Sequence, residues 1–132
     1  ADQVAITYYP PRAGSPERIT ADVAAVLAQP AIAHLPVQLA EYGFPSAAAA
    51  ASSDALQAAA YDAMWTAVDA SAPRLTAVVI NWLRDVSPAA LASFEQFYGS
   101  SDPAFVGFLA SLGLATYGGA RKPAWHALRC GA

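Results

Sequence analysis

Leu35-Pro36-Val37-Gln38-Leu39-Ala40-Glu41-Tyr42-Gly43-Phe44-Pro45-Ser46 is the stretch on which the fold turns. A short apolar run, read as a strand over 36–41, delivers one carboxylate to its C-terminal end, and a Gly/Pro/Ser turn follows at once. In a parallel α/β sheet the strand ends hold side chains rigidly while the loops beyond them shape a pocket. Glu41 is therefore the candidate catalytic residue.

The neighbouring segments repeat the same logic. Gln3-Val4-Ala5-Ile6-Thr7-Tyr8-Tyr9 is rich in β-branched and aromatic residues and is stopped by Pro10-Pro11, which predicts a first strand and a break. Ser15-Pro16-Glu17 supplies a cap, a proline at the first helical position and an early acid, and Ile19, Val23, Val26 and Leu27 recur at helical spacing up to Pro30. Ser52-Ser53-Asp54 caps a second helix whose predicted core face is Leu56, Ala60, Met64, Ala67 and Val68, with Pro73 closing it. Thr76-Ala77-Val78-Val79-Ile80-Asn81-Trp82 is a third strand, apolar on both faces as a fully buried parallel strand should be. Ser87-Pro88 and Asp102-Pro103 open helices over 88–97 and 103–112, and a short helix starts at Pro123. The order β-α-β-α-β-α within one domain over 1–132 predicts an α/β fold with three parallel strands.

Composition excludes several classes of function. With 132 residues, 56% hydrophobic and 13% charged, the chain is too apolar for disorder and poor in polar groups to cover a core of its own. Some apolar surface is thus expected to lie against another copy, in a homo-oligomer with an even number of copies. A net charge of −3 with seven scattered basic residues leaves no footprint for nucleic acid or an anionic membrane. No apolar run reaches the roughly 18 residues that span a bilayer, and no charged-then-apolar leader opens the sequence, which fits a removed leader or a piece of a longer chain equally well. The single cysteine, Cys130, allows no intrachain disulfide and reads as an inert terminal thiol.

Taken together, Asp2 to Pro10, Ala40 to Ser46, Ile80-Asn81-Trp82 with Asp85, and Gly113-Leu114 through Lys122-Pro123-Ala124-Trp125 resemble, in order, the sixth, seventh and eighth strands and the closing segment of a (β/α)8-barrel glycoside hydrolase of the retaining, clan A type. The resemblance implies that Glu41 stands where such enzymes carry their nucleophile and that Trp82 stands where they floor the sugar subsite. It also implies a partial barrel completed by oligomerisation, a carbohydrate or small-molecule substrate, no cofactor, and a secreted or periplasmic parent enzyme. A complete barrel takes about 250 residues, so this chain covers only the last three βα units. Retaining hydrolysis needs two carboxyl groups about 5–5.5 Å apart, and the acid/base glutamate of the fourth strand is absent here. Glu95 falls in a predicted helix rather than at a strand end and does not replace it.

The candidate substrate-binding residues are Tyr8, Tyr9, Tyr42, Trp82 and Asp85. Tyr8 and Tyr9 alternate faces, so one points beside Glu41, where its hydroxyl can orient the carboxylate, and the other packs. Trp82 is open to two readings, a stacking surface for a sugar or a core filler. Asp85 either lines the same mouth or caps the helix at Ser87-Pro88. His34 and His126 have no partner at metal-ligand spacing, so no metal site is expected. Trp65, Trp125, Phe94, Phe97, Phe105 and Phe108 read as helix-to-sheet packing, and Arg121-Lys122 as a solvated turn.

Overall fold

The computed structural model describes residues 2–10 and 15–128; Pro11 and Cys130 of the sequence reading lie outside them. Strands β1 (Val4–Tyr8), β2 (Val37–Tyr42) and β3 (Leu75–Ile80) pair in parallel in the order β1-β2-β3. They alternate with helices α1 (Arg18–Leu27) and α2 (Asp54–Ala70), and β3 is followed by α3 (Pro88–Tyr98) and α4 (Pro103–Ala110). The fold is α/β, with three parallel strands in an open sheet flanked by helices.

Helix starts follow local chemistry. Ser53 accepts a hydrogen bond from the Leu56 amide at the head of α2, Ser87 accepts from Ala90 at the head of α3, and Asp102 accepts from Ala104 at the head of α4. Each cap satisfies one of the amides that a helix N-terminus leaves without a partner. Helix α1 departs from this rule, since it begins at Arg18 and its N-cap residue, Glu17, makes no side-chain cap bond. Pro123–Ala127 forms a 3-10 turn, which agrees with the short last helix read from Pro123.

The core lies between one face of the sheet and helices α1 and α2. Val37, Leu39 and Tyr42 of β2 meet Ile19 and Val23 of α1 and Ala60, Tyr61, Met64 and Ala67 of α2, all buried. Burying a side chain the size of Leu39 or Ile19 is worth about 1.5–3 kcal/mol, so this layer holds the sheet to its helices. Helix α2 buries Ala60, Met64 and Ala67 as its hydrophobic spacing predicts, but not Leu56. Leu56 is 39% exposed, while Gln57 and Tyr61 are fully buried. The reason is polar: the Gln57 amide nitrogen donates to the carbonyls of Phe44, Ser111 and Gly113 at 2.8, 3.1 and 3.2 Å, tying α2 to the loop after β2 and to the segment after α4.

The opposite face of the sheet is open. Ala5, Thr7 and Ala77 are exposed and Val79 is 52% exposed, which corrects the expectation that β3 is covered on both faces. β1 and β3 each pair only with β2, so the outer edge of each is unpaired among the described residues. Beyond β3 the chain is held by the segment after α4, where the Leu114 and Ala115 amides donate to the Trp82 and Leu83 carbonyls.

Candidate functional site

Strict alternation along β2 would place Glu41 on the face of Val37 and Leu39, inside the sheet-to-helix core, where an unpaired carboxylate is costly. A β-bulge prevents this. Ile6 lies opposite Leu39 and Thr7 opposite Glu41, so Ala40 has no partner in β1, and on the other side Leu39 and Tyr42 oppose Val78 and Ile80. The extra residue turns Glu41 to the open face and returns Tyr42 to the core. Gly43 follows because the backbone passes close to its neighbours: a Cβ there would stand 2.6 Å from the Asn81 carbonyl oxygen and 2.8 Å from the Tyr9 ring. A glycine therefore lets the end of β2 approach both.

Glu41, Tyr9 and Asn81 form a relay across the ends of the three strands. The Tyr9 hydroxyl donates to Glu41 Oε2 at 2.9 Å, and Asn81 Nδ2 donates to the Tyr9 oxygen at 2.7 Å. Burial raises the Tyr9 phenol above its ordinary value; the Asn81 bond opposes this, and the hydrogen bond to Glu41 and its charge raise it further. The phenol therefore keeps its proton at neutral pH and remains a donor to the carboxylate. With one oxygen held, the other oxygen of Glu41 has no hydrogen-bond partner among the described residues and can meet an incoming group.

Around Glu41 lies a cavity of about 430 Å³ that Tyr9, Asn81, Trp82 and Tyr98 line together with Phe105, Phe108, Leu109 and Leu112. Glu41 is the only acid among those lining residues. Trp82 lines this cavity and also stacks on Phe94 of α3, ring centroids 5.7 Å apart and nearly parallel at 6°. The Asn81–Trp82 peptide is cis. Phe105 and Phe108 are walls of the cavity rather than sheet packing alone, and Phe108 meets the Tyr9 ring edge-on at 5.5 Å.

Three of the candidate substrate-binding residues stand elsewhere; this corrects the reading of Tyr42 and Asp85, while Tyr8 is the tyrosine of the pair that packs. Tyr8 turns to the helix side, where its hydroxyl donates to Asp22 at 2.8 Å; burial first, then the bond to Asp22, raises the phenol's pKa. Tyr42 is fully buried, donates to the Ala60 carbonyl at 2.7 Å and stands edge-on to Tyr61 at 5.2 Å. Burial holds its proton well above the ordinary range. Asp85 neither lines the cavity nor caps α3. Its Oδ1 accepts from Lys122 Nζ at 2.7 Å and from the Gly113 amide at 2.9 Å, which clasps the end of β3 to the closing segment. Lys122 is accordingly 6% exposed rather than solvated, while Arg121 lies 4.8 Å over the Trp125 ring.

Sequence reasoning did not single out Asn81 or Tyr98. Asn81 carried the signal of a polar residue ending an apolar strand, the same signal that marks Glu41. Tyr98 ends α3 and has no local signature, because only the packing of α3 and α4 against the strand ends brings it to the cavity.

No protein-family model and no curated protein matches the sequence. Among solved structures the chain is similar to the beta-glucuronidase of Faecalibacterium prausnitzii, at 20% identity and a TM-score of 0.64 over 95% of this chain. The likeness is one of fold to a TIM-barrel enzyme, and the chain spans 20% of that protein's length.

Proposed function

We propose that these residues form the nucleophile side of a glycosidase-type hydrolase site, with Glu41 as the attacking carboxylate and Tyr9 and Asn81 as the groups that orient it. The observation that carries this reading is the bulge at Ala40 together with the Asn81-to-Tyr9-to-Glu41 relay, which presents one fixed carboxylate at the C-terminal ends of parallel strands. Fold likeness to a beta-glucuronidase supports it as ancestry. In retaining hydrolysis Glu41 would attack the anomeric carbon, the leaving oxygen would take a proton from a second carboxylic acid about 5–5.5 Å away, and water would then release the sugar. Trp82 offers an indole face to the sugar ring.

The second acid comes from outside these strands. The open face of the sheet and its unpaired edges support assembly with a second copy, whose own Glu41 could stand across a shared centre. One of two carboxyl groups brought that close keeps its proton and serves as donor. The rest of a longer chain would supply an acid in the same place. Turnover of aryl glycosides, glucuronides included, by the protein and its Glu41→Gln variant tests the reading. A loss on the order of a thousandfold is expected, with the fold unchanged. Equal turnover would reduce the chain to a self-associating fold with at most weak sugar binding.

A further inference from the structure

A second cavity, of about 320 Å³, lies behind the wall of the Glu41 cavity and takes no part in the relay. Phe105 and Phe108 of α4 line both. Its other apolar walls are Pro10, Phe44, Pro45 and Ala50, from the ends of β1 and β2 and the turn after them. A volume at the lower end of small-molecule pockets and a lining of flat rings and prolines suit one aromatic ring rather than a chain or a sugar. Two polar groups complete it. The Ser52 hydroxyl donates to the Pro45 carbonyl at 2.7 Å, which leaves its oxygen free to accept. Asp102 accepts from the Ala104 amide through Oδ1 at 2.8 Å and adds a negative charge at the pocket's edge.

The geometry points to a binding site for an uncharged phenol-type ring, its hydroxyl donating to Ser52 or Asp102, in a pocket separate from the one that holds Glu41. The proposal does not rest on the proposed function. The negative charge of Asp102 sets the selectivity. A phenol or aryl amine offers a donor to both oxygens, whereas an aryl carboxylate brings a second negative charge to Asp102 and no donor at all. Helix α4 is set firmly for this role, because Gly107 lies so close to the turn after β2 that a Cβ would come within 2.9 Å of the Ala49 Cβ.

Titration of the whole chain with 4-methylphenol and with 4-methylbenzoate, followed by NMR of the Ala50, Ala104 and Phe44 resonances, tests the site. Saturable shifts are expected with 4-methylphenol, in the protein and equally in Glu41→Gln, and about fivefold weaker binding of 4-methylbenzoate. Asp102→Asn keeps the helix cap and should narrow that gap, while Ala104→Trp fills the pocket and should weaken 4-methylphenol by about tenfold or more. Absence of saturable shifts at these residues, or an unchanged preference in Asp102→Asn, would overturn the proposal whether or not Ala104→Trp folds. Phenol binding without Glu41-dependent turnover would remove the hydrolase reading and leave the site; turnover without phenol binding would do the reverse.

Discussion

Glu41 was legible because an acid at the end of an apolar strand has few structural uses, and the same rule applied to Asn81 would have found its partner. The alternation of Tyr8 and Tyr9 was legible too, although which of them meets Glu41 depends on which sheet face carries the helices. Tyr42 was misplaced because a bulge leaves no compositional mark: Ala40 looks like any strand residue, yet it decides that Glu41 faces out and Tyr42 faces in. Asp85 was misplaced for a different reason, since its partner Lys122 lies far along the chain and only the closed structure joins them. At this scale Tyr9→Phe is the informative change. It removes the donor to Glu41 while the ring keeps its edge contact with Phe108. Turnover should fall about tenfold to a hundredfold, with thermal stability nearly unchanged. A wild-type rate in Tyr9→Phe would show that the relay does not position the carboxylate.

The elements follow from caps, prolines and apolar spacing, which is why their order and most of their bounds were readable. Helix α2 shows where that reading stops. Its spacing marks Leu56 as core, but the amide of Gln57 has buried carbonyls to satisfy, and the helix settles with Gln57 inward and Leu56 partly out. Unmet carbonyls in a dry interior cost more than one half-exposed leucine, so the polar demand decides the first turn of α2. Gln57→Leu, close in size and without the donor, should therefore destabilise the protein by about 2–4 kcal/mol despite adding apolar surface to the core. Chemical denaturation measures this. A variant as stable as the parent would mean that the hydrophobic pattern, and not Gln57, fixes α2.

For the whole molecule, the parallel order of the strands follows from alternation with helices, whereas the uncovered face does not, because β3 has the apolar composition of a strand buried on both sides. That composition and the exposed Val79 make sense together when the open face meets further protein. Sedimentation at micromolar concentration should find a discrete oligomer, and Val79→Lys, a charge on that face, should shift it to monomer; a compact monomer in both would remove self-association from the account. The central claim remains that Glu41 is a nucleophile. It is tested most directly by incubating the protein with an activated 2-deoxy-2-fluoro glycoside of its best-turned-over sugar and mapping the label by mass spectrometry. The account predicts a sugar ester on the peptide containing Glu41 and none in Glu41→Gln. Label on another residue, or turnover that continues without any label, would contradict it.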